Sequence, residues 1–180
     1  MQRRKRVVAG ILLLCGILTS SALADEKEER WEFWGHKGYA VPQVSAADAR
    51  KAVQESQKTW QVATVRQKWE RGGAEVSVLV RDREGIIAKI GIDPQTGELL
   101  PYSVEAYSRE VKVSPQEVQQ KVETLLPQIE VGNRAWLGEH GRYWRIPLFW
   151  KGMLVSTVKV DALSGRLLPR RYGHDEEEED

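Results

Sequence analysis

Residues able to do chemistry are few in this chain and poorly grouped. The single cysteine, Cys15, and the three histidines, His36, His140 and His174, stand far apart, without the close spacing that gathers side chains around a metal. His140 adjoins Glu139, a pair able in principle to move a proton. Glu-His-Gly between two apolar runs nevertheless reads as a solvated loop. Asp93 and Asp161 each end a β-branched run and precede a glycine, Gly97 and Gly165. A carboxylate so placed accepts bonds from the amides that follow it and starts a turn, and the glycine supplies the positive φ that closes it. The six acids at 175–180 would hold a hard cation only loosely; their mutual repulsion predicts a disordered, solubilising tail. No HExxH, GxSxG or GxxxxGK[ST] occurs. The expectation is a protein with no catalytic residues, no cofactor and no bound metal.

The two aspartates sit in one stretch written twice. IIAKIGIDPQTGELLP, at 86–101, returns as LVSTVKVDALSGRLLP at 154–169. Asp93, Gly97, Leu99, Leu100 and Pro101 match Asp161, Gly165, Leu167, Leu168 and Pro169, each 68 positions on. Alternation puts Ile90 and Ile92 on one strand face, as it does Val158 and Val160. The likeness extends upstream, where Val44-Ser45 and Val113-Ser114 each open a helix. Serine is the N-cap, an acid follows three residues later, and the valine in front serves as a hydrophobic staple. Pro115 takes the first helical position, where its missing N–H costs nothing. Helix start, strands and Asp-x-x-x-Gly turn thus occur twice, an internal duplication.

These elements divide the chain. Residues 1–24 read as a signal peptide: Arg3, Arg4, Lys5 and Arg6, an apolar run, then Ala22-Leu23-Ala24. The run is shorter than the ~20 apolar residues a span requires, so no membrane span is expected after cleavage, and the location is periplasmic or secreted. Leu14 directly before Cys15 speaks against lipid attachment there, and cleavage would leave no cysteine and no disulfide framework. The whole chain carries 27 basic and 26 acidic residues, so the remainder is slightly acidic and no nucleic-acid partner is expected. Residues 25–43 form a charged arm with Trp31, Trp34 and Tyr39. A first module covers 44–101, a connector 102–112, a second module 113–169, and the acidic tail 170–180.

Within the first module a helix is expected from Ala46 to about Lys58, burying Ala49, Ala52, Val53 and Ser56. Strands follow at 61–70, at 75–81 with Val76, Val78 and Val80 on a buried face, and at the repeated stretch. In the second module a helix from Pro115 to about Pro127 buries Val118, Val122, Leu125 and Leu126. Strands at 129–137 and 143–150 are expected to pair across Glu139-His140-Gly141, with Trp136 opposite Trp144. The fold class is α+β, two repeated modules, each one helix packed on a small antiparallel β-sheet.

Helix, three antiparallel strands and a closing V-D-x-x-[ST]-G-x-L resemble the PepSY module, over 45–100 and 114–168. The first copy departs slightly, with Ile-Asp-Pro where the family commonly has Val-Asp-Ala; the turn is unaffected. The resemblance implies a small α+β domain of secreted or envelope bacterial proteins that binds or restrains peptidases and brings no catalytic residues. The expected function is non-catalytic protein binding in the envelope, with a peptidase or another envelope protein as partner. The alternatives are an accessory or sensory envelope protein with no peptidase link and an enzyme of unrecognised type. The second module is the more aromatic, and Trp136, Tyr143, Phe149 and Trp150 are its candidate partner-binding residues.

Overall fold

Both helices begin at a serine. Ser45 accepts the Asp48 N–H at 3.1 Å and opens α1, Ala46–Ser56. Ser114 accepts the Glu117 N–H at 3.2 Å and opens α2, Pro115–Leu125; the Glu117 carboxylate in turn accepts the Ser114 N–H at 2.9 Å, completing a capping box. The computed structural model describes residues 40–170. The leader, most of the aromatic arm, His36, His174 and the tail from 171 onward lie outside the described residues. Each helix ends in a short 3-10 turn, at 57–59 and 126–128; of the faces expected to be buried, Ala49 and Val53 in α1 and Val118, Val122 and Leu126 in α2 and its turn are buried, while Ala52, Ser56 and Leu125 are half-buried.

The strands form two antiparallel sheets, so the class is α+β. The first has the order β1 (Gln61–Glu70), β2 (Gly73–Arg81), β3 (Ile86–Ile92), with Val76, Val78 and Val80 opposite Ile92, Ile90 and Ala88. The second comprises β4 (Glu130–Val131), β5 (Trp136–Leu137), β6 (Tyr143–Trp150), β7 (Met153–Asp161) and β8 (Leu167–Leu168); its order is β4-β6-β7-β8, with β5 also beside β6. Ile87 is the extra residue of a bulge in β3 and Val155 of one in β7. Both are fully buried, and they too lie 68 positions apart. A bulge turns a side chain that alternation would send elsewhere, here into the core.

The helices do not lie on their own sheets. The main contacts of α1 are with β4, β6 and β7, and those of α2 are with β1 and β2. This corrects the expectation of one helix per adjoining sheet, and the hydrogen bonds give the reason. Gln43 and Val44 N–H both donate to Ala162 O, Arg50 Nε to Gly132 O at 2.8 Å, and Gln57 Nε2 to the carbonyls of Leu126 and Ile129. On the other side Lys112 N–H donates to Pro94 O at 2.9 Å. The sheets are tied at β3 and β7 by Tyr102 N–H to Leu154 O and Arg170 N–H to Ile86 O, a pair related by the same 68 positions. Ser156 Oγ adds a bond to Lys89 O at 2.7 Å. One apolar core runs through both halves, from Val53 and Ile90 to Val122 and Val158.

Three further details differ from the sequence reading. The 129–137 segment is two short strands, because Gly132 lies against Pro147 and Phe149: a Cβ there would stand 2.5 Å from Pro147 Cγ and 2.8 Å from Phe149 Cε2. Trp136 pairs with Arg145, and Leu137 with Trp144. Gly138 N–H donates to Tyr143 O, so the loop holds 139–142 and the register moves by one residue. Finally, β2 is buried on both faces from Gly73 to Val80. Its Glu75, only 9% exposed, pairs with Lys89 Nζ at 2.9 Å. Among the described residues no helix is long and apolar enough to cross a membrane.

Candidate functional site

The two repeated aspartates have the hydrogen bonds of turn residues. Asp93 Oδ1 accepts the N–H groups of Gln95 and Thr96 at 2.7 and 2.9 Å, and Gly97, at φ +66°, donates its N–H to Asp93 O. Asp161 Oδ1 accepts from Leu163 and Ser164 at 3.0 and 2.7 Å, and Gly165 has φ +74°. The Thr96 amide, then that of Gln95, holds the Asp93 carboxyl below the usual range. The Ser164 amide does the same for Asp161. A carboxylate held ionised by turn amides is a poor proton carrier near neutrality.

A shallow cleft of about 590 Å³ adjoins the second turn, lined by Arg83, Glu84, Asp161, Ser164, Arg166 and Leu168 among others. Three of its four charged side chains, Glu84, Asp161 and Arg166, are engaged within the protein. Arg166 Nη2 meets Glu84 Oε1 at 3.1 Å, and Ser164 Oγ donates to Asp161 at 2.8 Å. The hydroxyl–carboxylate contact, Ser164 to Asp161, belongs to the turn, where backbone amides already hold the carboxylate ionised. Among the described residues no group of three or more His, Cys, Asp or Glu side chains could hold a metal. His140 sits in the 139–142 loop at φ 56°, its carbonyl bonded to Ala40 N–H at 2.9 Å.

The aromatic residues are sorted by β6. Alternation along this strand places Tyr143, Arg145, Pro147 and Phe149 on one face and Trp144, Ile146, Leu148 and Trp150 on the other. Ile146 and Leu148 are fully buried, and Trp144 and Trp150 pack beside them against the core. The Trp144 indole N–H donates to Val44 O at 2.9 Å, so this ring also anchors the entry to α1. Trp136, opposite Arg145, joins the outer face and is 43% exposed. Three of the four candidates, Trp136, Tyr143 and Phe149, therefore share a face of the sheet, with Tyr143 and Phe149 half-buried and Pro147 between them buried, and Trp150 is separated from them.

That outer face also carries cations that the sequence reading missed. Lys159 pairs with Arg145 across the β6–β7 ladder. Lys159 Nζ lies 4.8 Å and Arg145 Cζ 5.8 Å from the centre of the Tyr143 ring, within cation–π range. Arg145 Nη2 also donates to the Tyr143 hydroxyl at 3.3 Å, and Arg170 Nη2 reaches Thr157 Oγ1, on the same face, at 3.5 Å. Tyr143 lies flat against Gly138, where a Cβ would stand 2.0 Å from Tyr143 Cε2. The signal for Arg145 was present in the alternation of β6; that for Lys159 and Arg170 required the register. The arrangement can grip an acidic, partly apolar surface by stacking and charge. Comparison of the chain with family models, curated proteins and solved structures finds no match.

Proposed function

We propose that this chain is an exported, non-catalytic protein that binds another protein through the outer face of β6 and β7. The observation that carries this reading is the alignment of Trp136, Tyr143 and Phe149 with Arg145 and Lys159 on one face, while Trp144 and Trp150 fill the core side. Large rings beside cations are the residue types that dominate protein contacts. The doubled stretch ending in Asp-x-x-x-Gly-x-Leu resembles the PepSY module, which favours a peptidase of the bacterial envelope as the partner. In this reading the chain is a tandem pair of such modules that have exchanged helices. The basic start and Ala-Leu-Ala of the leader favour export to the periplasm or beyond.

The test is to replace Trp136 and Trp150 by alanine separately, then measure thermal stability and retention of proteins from an envelope extract. Trp136→Ala is expected to change stability by no more than about 1 kcal/mol, as an exposed residue does, and to lose the partner. Trp150→Ala should cost about 2 kcal/mol or more through lost packing. Retention unaffected by Trp136→Ala would sink this face as the contact. A captured partner with no peptidase activity would sink the peptidase assignment alone. Hydrolytic turnover by the purified chain that depends on His140 would overturn the non-catalytic reading.

A further inference from the structure

The connector between the two halves is pinned at its ends and unsupported between them. At one end Tyr102 N–H donates to Leu154 O at 2.7 Å, and Val104 N–H closes a turn on Pro101 O at 3.0 Å. At the other end Ser108 and Ala74 exchange two backbone bonds, of 2.7 and 3.1 Å. Among the described residues no backbone hydrogen bond involves Glu105, Ala106 or Tyr107. Ser103, Val104, Glu105 and Tyr107 are exposed, and Ala106 is half-buried. The contacts of this segment are made by side chains: the Tyr107 hydroxyl donates to Glu105, and the tyrosine lies beside Gly72.

An endopeptidase takes its substrate as an extended strand and needs backbone groups free to bond with it. Loops that already use those groups must first open, at a cost in free energy. Other glutamates outside the strands are held in this way. Glu84 N–H donates to Asp82 Oδ1 at 2.8 Å, Glu98 O accepts the Asp93 N–H at 2.8 Å, and Glu110 O accepts from Gln95 Nε2 at 2.8 Å. Glu105 carries no such bond, and its carboxylate stands on an exposed stretch between two pins. Exposed, unpaired chain of this kind is where proteolytic nicking concentrates.

We propose that the Glu105–Ala106 bond is a site of limited proteolysis, and that the cut chain persists as a folded two-chain form. An endopeptidase that accepts glutamate before the bond adds water across it, leaving a carboxylate on Glu105 and an amine on Ala106. The cut removes none of the backbone hydrogen bonds of the fold. Tyr102 stays pinned on the first chain and Ser108 on the second. The two chains hold each other, because α1 of the first sits on β4, β6 and β7 of the second, and α2 of the second sits on β1 and β2 of the first. Ser156 Oγ to Lys89 O, Lys112 N–H to Pro94 O and the common core also cross the cut. None of this rests on the contact face proposed above.

Brief digestion of the full chain under native conditions with a glutamyl endopeptidase tests the site, read by fragment mass for cuts within 40–170. The first such cut should leave a new N-terminus at Ala106. Glu105→Gln should abolish it, whereas a broad-specificity subtilisin should still cut both parent and variant within 103–107. The two fragments should part in denaturing electrophoresis, yet elute together from gel filtration at the volume of the uncut chain. Because unfolding of the cut form releases two chains, its melting midpoint should rise with protein concentration, and that of the uncut chain should not. A first cut at Glu84, Glu98 or Glu110, or resistance of 103–107 to both enzymes, would overturn the site. Fragments that separate or precipitate once cut would overturn the two-chain form. No partner is present, so neither result bears on the Trp136→Ala test.

Discussion

Asp93 and Asp161 illustrate how a residue type that suggests chemistry is absorbed by local geometry. Each accepts two backbone N–H groups, and these bonds depress the folded carboxyl below the ~3.9 of an unfolded aspartate. Such a group contributes stability that is complete above the unfolded pKa and is lost as pH falls through the folded one. The melting temperature is therefore expected to drop as pH is lowered from about 4 to 2. In the double variant Asp93→Asn, Asp161→Asn the drop should be shallower, since the amide has no charge to lose. Some slope should persist from Glu117, whose carboxyl the Ser114 amide and hydroxyl also hold down. Parallel melting curves for parent and variant across that range would contradict this account.

At the scale of elements, each turn is a seat for the start of a helix. A Cβ on Gly97 would stand 3.0 Å from Val113 Cγ1, and one on Gly165 3.5 Å from Val44 Cγ2. The valine before each N-cap, read from sequence as a staple within its own helix, thus packs beside a turn: Val113 on the first, Val44 on the second. Substituting Gly97 by valine adds crowding to the strain of a positive φ, whereas Gly165→Val adds mainly strain. Each should destabilise the protein by about 1–3 kcal/mol in denaturant unfolding, with the larger loss at Gly97. The reverse order, or no loss at either, would show that the turns do not seat the helices. The Lys151-Gly152 hairpin makes a useful contrast. Gly152 also has positive φ, but nothing lies within 4 Å of a Cβ there, so its cost should be conformational alone.

At the scale of the whole molecule, the seating of each helix on the sheet of the other half makes the two halves interdependent. The apolar face of α1, Ala49 and Val53, has its main contacts on the second sheet, and that of α2 on the first. A fragment of 44–101 would leave α1 without its main seat, and β1 and β2 without the contacts of α2. A half of about 60 residues is marginal by size alone, and each would also lose the contacts of its helix with the other sheet. Neither 44–101 nor 113–169 should show a cooperative thermal transition by circular dichroism, whereas 40–170 should. Cooperative melting of either isolated half would mean that its helix can cover its own sheet, and would refute the dependence.

What the sequence by itself determined is local: the serine caps, the paired Asp-x-x-x-Gly turns, most of the buried stripe of each helix and the alternation of β6, but not the burial of β2 on both faces. All of these are set within a few residues of chain, where capping, positive φ and periodicity act directly. The split of Trp136, Tyr143 and Phe149 from Trp144 and Trp150 was half legible, since alternation separates them once the register is known. The register itself depended on a four-residue loop where three were expected, and on Gly132 yielding to Pro147 and Phe149. Which sheet each helix covers was beyond the sequence altogether. An apolar stripe specifies that it must be buried, not against what. Both sheets offer an apolar face, and the choice fell to long-range bonds such as Arg50 to Gly132 and Val44 to Ala162. The convergence of Arg145, Lys159 and Arg170 on one face has the same origin, because cross-strand neighbours exist only after the ladders have formed.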